Sequence, residues 1–287
     1  MRARAPASAA NLGPGFDSLA VALRLHVEVE VTPAPSLTVR VEGEGDDLPV
    51  DGSHLAARVA VAAAGTDRLA VTVRSSIPVG RGLGSSAALA VAAAAAAGSD
   101  DPMAAGMAVD GHAENAAASV LGGLVGATIV QGRPVAVPLP LDPALTFVVL
   151  VPARPIATAR ARQALPAQVA HADAAFNLGR MGLLVAGLGD HRLLVRHATD
   201  DRLHQAARQS LFPEATHLMA GLLEAGAAAA CWSGAGPSVL GICTSDTAPR
   251  VRAAGEQLLA VTTVGGRALL LEADREGLVV QDARPPV

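Results

Sequence analysis

Residues 78–88 read Pro-Val-Gly-Arg-Gly-Leu-Gly-Ser-Ser-Ala-Ala, and the apolar run Ala87 to Ala97 follows without a break. This stretch constrains the fold more than any other. Gly80, Gly82 and Gly84 carry no side chain, so the backbone can turn tightly and bring its N–H groups up to an anion. Ser85 is predicted to cap the helix that follows, whose positive dipole end faces the same point. The alanine run is too short to cross a membrane. It predicts a buried helix behind the loop, packed through small side chains. The glycines alone also suit a tight turn; the two serines at the helix start point to nucleotide phosphate. Ser85 stands where a Walker A loop needs lysine, and the glycine spacing is wrong for a dinucleotide fingerprint. All 22 Lys and Arg residues are arginine, which excludes Schiff-base chemistry, a lysine base and the protein-kinase lysine.

The bulk properties narrow the class. A chain of 287 residues, 51% of them hydrophobic, can bury a good core as one large domain or two smaller ones. Aromatics make up 2% and the formal net charge is −4, so base stacking and electrostatic nucleic-acid or anionic-membrane binding lack support. Cys231 and Cys243 lack metal-pair spacing and number too few for a disulfide framework; they read as buried free thiols. Met1 to Pro6 shows no signal-peptide pattern, so the expected location is the cytoplasm, with neither nucleic acid nor membrane as partner.

Apolar–polar alternation predicts strands over Leu23 to Thr32 and Leu37 to Val41, paired with each other. Ser53 is expected to cap a helix ending near Gly65, before a strand over Leu69 to Arg74. Helices over Met103 to Val109 and Glu114 to Leu121 precede strands over Leu124 to Val130 and Pro134 to Val137. Pro138, Pro140 and Pro143 mark a domain boundary. Beyond them come a strand over Phe147 to Val151, helices over Ala167 to Leu188 and Pro213 to Ala225, then strands over Ala228 to Trp232 and Val239 to Cys243. A final helix and strand suggest an α+β sandwich of antiparallel sheet and helices.

Several polar constellations fall outside this core pattern. Asn11 and Asp17 share a Gly-Pro-Gly loop, where they either bind a ligand or stabilise the turn. Asp110, His112, Glu114 and Asn115 crowd six residues of a hydrophobic neighbourhood, as site residues or as a capping loop. Arg162 and Arg208 suit a carboxylate through their planar forks, although a single helix arginine is commonly solvated. Ser233-Gly234-Ala235-Gly236-Pro237-Ser238 reads as a glycine turn between strands. His26, His54, His171, His191, His197 and His217 have no partners at ligand or triad spacing and are read as surface or helix residues.

The order Pro-x-x-x-Gly-Leu-Gly-Ser-Ser-Ala resembles the ATP loop of the GHMP kinases, covering Pro78, Gly80, Arg81, Gly82, Leu83, Gly84, Ser85, Ser86, Ala87 and Ala88. Pro6 to Leu19 resembles the first motif of the homoserine kinases. Asp110 to Asn115 is similar to their Glu-Gly-His-Pro-Asp-Asn, with Asp110 for Glu, Ala113 for Pro and Glu114 for Asp. Thr158 to Pro166 resembles Thr-x-x-x-Arg-x-x-Leu-Pro, and Asp201 to Arg208 resembles Asp-x-x-His-Gln-x-x-Arg.

The resemblance implies a two-domain α+β GHMP fold. Residues 1–143 would be like ribosomal protein S5 domain 2 and bind ATP; residues 144–287 would be ferredoxin-like, with the site between the two. It implies ATP- and Mg²⁺-dependent phosphorylation of L-homoserine on its side-chain hydroxyl, a step towards threonine. Under it Ser86 and Asp110 hold Mg²⁺, Arg162 and Arg208 clamp the substrate carboxylate, and Asn11, Asp17 and Glu114 meet its amino and hydroxyl groups. His112, Asn115 and Thr158 complete the substrate side, and Ser233, Gly234, Ala235 and Gly236 pack beside the phosphate loop. Sister kinases carry a catalytic Asp where this chain has Asn115; an amide accepts no proton, so the hydroxyl proton is expected to leave late, to the transferring phosphate. The rivals are a kinase of another small hydroxy acid such as mevalonate, and a catalytically silent homologue. A homodimer is a further expectation from the family, with no interface marked in the sequence.

Overall fold

The computed structural model describes residues 1–262 and 264–281. Strand β1 (Arg2–Ala10) puts Ala3, Ala5, Ala7 and Ala9 on one buried face. Strand β2 (Leu19–Pro33) pairs antiparallel with it, with a register shift between Pro6 and Ala7. Its first five residues are all buried, and the apolar–polar alternation governs only the later part, where Val27, Val29 and Val31 face the core. Strand β3 (Thr38–Gly43), helix α1 (Leu55–Ala64) and strand β4 (Leu69–Ser75) form a crossover unit. The helix between the two strands makes them parallel. β3 therefore pairs with β4, and not with β2 as the alternation suggested; β4 lies between them. α1 is capped by His54, whose Nδ1 accepts from Ala56 N at 3.3 Å, because Ser53 is tied by N–H and hydroxyl to Asp51.

Helix α2 (Ser85–Ala96) is buried along Ala87 to Ala96 except at Leu89, and packs on β1 and β2 beside α1, α3 (Pro102–Asp110) and α4 (Glu114–Leu121). So many close neighbours fit because the facing side chains are small; a methyl at Gly106 would already crowd Ala116 and Val91. Strands β5 (Leu124–Val130) and β6 (Arg133–Leu139) extend the sheet from the start of β2.

The second sheet begins with β7 (Leu145–Pro152), buried at all eight residues. Short helix α5 (Thr158–Gln163) follows, and α6 (His171–Gly189) starts four residues later than Ala167, with Asp173 favourably placed in its first turn. Then come α7 (Gln205–Arg208), α8 (Ala215–Glu224), β8 (Ala229–Trp232), β9 (Val239–Thr244), α9 (Ala248–Val261) and β10 (Gly266–Leu271). The sheet order is β10-β7-β9-β8, all antiparallel. One face packs Val148, Leu150 and Trp232 against Leu218, Leu222 and Val251 of α8 and α9. The other packs Phe147, Val149 and Leu240 into the core that also holds the alanines of β1 and α2. Each such buried Leu, Val or Phe contributes on the order of 1.5–3 kcal/mol. The last strand, β11 (Val279–Gln281), returns to pair with β1, so a cut at residue 143 leaves one later strand in the first sheet.

Four of the histidines read as partnerless have partners. His26 lies within β2 with Nε2 2.7 Å from Asp274 Oδ2, and His54 is the buried cap of α1. His191 and His197 lie 2.7 and 3.0 Å from Asp142 and Asp200. Cys231 and Cys243 are buried free thiols, with burial raising each pKa to about 12. Among the described residues no helix is long and apolar enough to cross a membrane.

Candidate active site

One cavity is lined by Gly80, Gly82, Ser86, Asp110, Arg162 and Arg208, groups drawn from both halves of the chain. Its floor is the loop between β4 and α2. Gly80, Gly82 and Gly84 have φ of 67°, 73° and 64°, the left-handed region that favours glycine. A Cβ on Gly82 would overlap the Ser233 carbonyl, and one on Gly84 would overlap the Ser8 hydroxyl. Gly84, and not Ser85, is the N-cap; Ser85 is the first helical residue and no side chain caps the end. The helix N-terminus is therefore left to a ligand, a better fit to phosphate than a serine-capped end. Arg81 turns away: Nε donates to Pro152 O at 2.9 Å, Nη1 to Val79 O at 3.0 Å and Nη2 to Ala153 O, anchoring the loop to the end of β7. Pro78 and Leu83 are buried beneath the loop, and Ala87 and Ala88 point into the core.

The glycine turn closes over this loop. Ser233 Oγ donates to Gly82 O at 2.7 Å, Ser238 N to Arg81 O at 3.3 Å and Gly234 N to Ala10 O at 2.9 Å. Gly234 and Ala235 line the cavity, and Gly236 N turns back to Ser233 O at 2.9 Å.

The end of α3 and the start of α4 form one wall. Burial, reinforced by Glu114, pushes Asp110 up to about 6, against the opposing pull of His112 and Arg162. Asp110 and the exposed Ser86 stand in the same lining and offer the oxygen donors that a hard cation takes. Burial disfavours protonation of His112, yet Glu114, Asp110 and Asp17 around it raise its pKa. His112 Nδ1 lies 2.6 Å from Glu114 Oε1. Glu114 itself is fully buried behind His112, not in the lining where substrate contact was expected. Asn115 Oδ1 accepts from Ser8 Oγ at 2.8 Å, and Asn115 lines the cavity.

The opposite wall comes from the loop after β1 and from α5 and α7. Asn11 sits at φ 70°; Nδ2 donates to Gly234 O at 2.8 Å and Oδ1 accepts from Asp17 N at 3.0 Å. Its amide thus shapes the loop as well as lining the cavity. Arg162 forks onto Asp17 at 2.7 and 2.9 Å, and Thr158 opens α5 in the lining. Arg208 is buried, and burial together with Arg162 lowers its pKa to about 10.

Three residues here lie within the motifs read from the sequence but were assigned no role in the site. His204 is fully buried; Nε2 lies 2.8 Å from Gly13 O and Nδ1 3.0 Å from Arg208 Nη1. Burial first, then Arg208, lowers its pKa to about 4, so it is neutral and accepts from the guanidinium. Phe16 stacks on His204 with centroids 5.1 Å apart and carries both guanidinium carbons at 5.5 Å. Asp201 accepts from His204 N, Gln205 N, Leu203 N and Asn177 Nδ2, capping α7. The spacing Asp201-x-x-His204-x-x-x-Arg208 was the available signal for two of them.

Known proteins are similar to this chain over most of its length. Residues 53–123 match the GHMP kinases N terminal domain and residues 182–260 the GHMP kinases C terminal domain. The homoserine kinase of Rhodococcus opacus is 42% identical over 88% of this chain and 90% of its own, and that of Streptomyces coelicolor 40% over 88% and 87%. The crystal structure of homoserine kinase from Cytophaga hutchinsonii superposes with a TM-score of 0.85 at 28% identity, covering 97% of this chain and 96% of that one. With the glycine loop, the uncapped helix and the paired arginines around one cavity, the chain belongs to the homoserine kinase family of the GHMP kinases.

Proposed function

We propose that this protein transfers the terminal phosphoryl group of ATP to the side-chain hydroxyl of L-homoserine, giving O-phospho-L-homoserine. The observation that carries the reading is the meeting of an uncapped helix N-terminus behind three left-handed glycines with two arginines across one cavity. The loop N–H groups and the α2 dipole hold the triphosphate. Ser86 and Asp110 would hold Mg²⁺, which neutralises charge on the phosphates. Arg208 and Arg162 take the substrate carboxylate, Asp17 its ammonium, and the Asn115 amide faces the hydroxyl. Glu114 acts behind His112, fixing the ring, and not by direct contact. Asn115 takes no proton, so this chain works by positioning and charge stabilisation, and the hydroxyl proton leaves late, to an oxygen of the phosphoryl group being transferred.

The test is ADP release by the purified protein with Mg-ATP and L-homoserine, L-threonine, L-serine, mevalonate or no acceptor. Turnover selective for L-homoserine is expected. Turnover selective for mevalonate, or ATP binding without turnover on any acceptor, overturns the reading.

A further inference from the structure

The two guanidinium groups of the acceptor wall have unequal partners. Arg208 spends its hydrogen bonds on neutral groups: Nη1 meets Gly234 O at 3.0 Å and His204 Nδ1 at 3.0 Å, and Nε donates to Ala161 O at 3.4 Å. Arg162 is half exposed and its fork is already filled by a carboxylate, with Nη2 2.7 Å from Asp17 Oδ1 and Nη1 2.9 Å from Oδ2. An incoming carboxylate therefore finds one cation free of anions and one engaged.

Asp17 also has acidic company. Ligand atoms of Asp17, His112 and Glu114 all lie within 4.8 Å of one another, and His112 is held by Glu114 at 2.6 Å. Once parted from Arg162, the Asp17 carboxylate lies near the buried Glu114 carboxylate, and the two share the single His112 imidazole. Like charges at that separation repel, and the half-buried setting screens them poorly.

We propose that the Asp17–Arg162 pair is a selectivity gate for zwitterions: an acceptor gains Arg162 only by displacing Asp17, and only one bearing its own ammonium re-pairs the displaced carboxylate. The closed pair presents one anion and one cation, as the head of an α-amino acid does. Exchange of partners is then nearly even for an amino acid, whereas a hydroxy acid without an amino group leaves Asp17 unpaired. Such an acceptor is rejected by an unpaired charge and not by poor shape. The gate rests on the reading that this cavity takes an amino-acid acceptor.

Calorimetric titration in the presence of Mg²⁺ and a non-hydrolysable ATP analogue tests it, with L-homoserine and with 4-hydroxybutanoate, the same chain lacking the amino group. The comparison is between the unaltered protein and Asp17→Asn. Asparagine suits the φ of 52° at this position, so the loop is expected to keep its shape, checked by an unchanged affinity for the ATP analogue. In the variant, L-homoserine weakens by about tenfold or more, while 4-hydroxybutanoate binds about threefold to fivefold more tightly, the worth of a half-exposed ion pair no longer to be broken. If Asp17 were simply an ammonium contact, L-homoserine would weaken and 4-hydroxybutanoate would not tighten; that result overturns the gate. Failure of the unaltered protein to bind L-homoserine strikes the functional reading and the gate with it, whereas L-homoserine binding with no tightening of 4-hydroxybutanoate in the variant strikes the gate alone.

Discussion

At Gly82 the backbone has φ of 73° and the Ser233 carbonyl occupies the space a Cβ would need. Two penalties therefore act on one methyl group, a left-handed backbone and a backbone clash. Gly82→Ala is expected to weaken ATP binding by more than about tenfold and to cost about 2 kcal/mol or more of stability. Nucleotide titration and urea unfolding of the variant check both numbers; unchanged ATP affinity would remove the loop from the phosphate site. Chain neighbours alone announced the glycines, because steric freedom belongs to the residue. The role of Ser85 was not legible: whether a serine caps a helix or begins it depends on the φ of the residue before, here 64° at Gly84. Asn11 shows the same limit. Its type suggested either ligand or turn, and its bonds to Gly234 and Asp17 show that the turn role is filled.

Helix α7 has only four residues and no stability of its own. It exists because Asp201 accepts two N–H groups at its start, Gln205 Oε1 accepts from Trp232 N at 2.8 Å, and His204 bridges it to Gly13. This arrangement points Arg208 at the acceptor wall. Asp201→Ala removes a cap and unbinds four donors, so a loss of about 2 kcal/mol is expected in urea unfolding. The KM for the amino-acid acceptor should rise about tenfold or more while the KM for ATP stays within about twofold, because the loop below is untouched. A rise in both would mean that α7 supports the whole cavity and not one wall of it. The sequence pattern Asp-x-x-His-Gln-x-x-Arg contains Arg208 and its supports alike, but a four-residue helix offers no periodicity to show which side chains hold it in place.

Across the whole molecule, the segment after β10 returns to the first sheet with Glu272, Asp274 and Glu276 facing Arg24, His26 and Arg4. The outer pairs are exposed and the central one is not: Asp274 is 4% exposed and also accepts from Glu276 N and Gly277 N. Asp274→Ala is expected to cost about 2–4 kcal/mol in urea unfolding, and Glu272→Ala less than about 1 kcal/mol. Equal losses would mean that the return segment is held by charge in general. Burial pushes the Asp274 carboxyl up, but His26 and the two backbone donors outweigh it and hold its pKa below the ordinary value. Its stabilisation is therefore complete above about pH 4 and is lost as the pH falls below that range, a dependence that Asp274→Asn should flatten.

The sequence by itself determined the anion loop, the buried alanine helix and most strands, because backbone freedom, side-chain size and apolar period act over a few neighbouring residues. It also nominated the polar clusters, through the crowding of charged and amide side chains where a core would exclude them. Tertiary structure decided which of these meet. The parallel pairing of β3 with β4 depends on where a crossover helix lies. The burial of Glu114 depends on what covers α4, and the partner of Arg162 is 145 residues away at Asp17. Such contacts follow from the packing of two sheets around one core, a property that no local window of the chain contains.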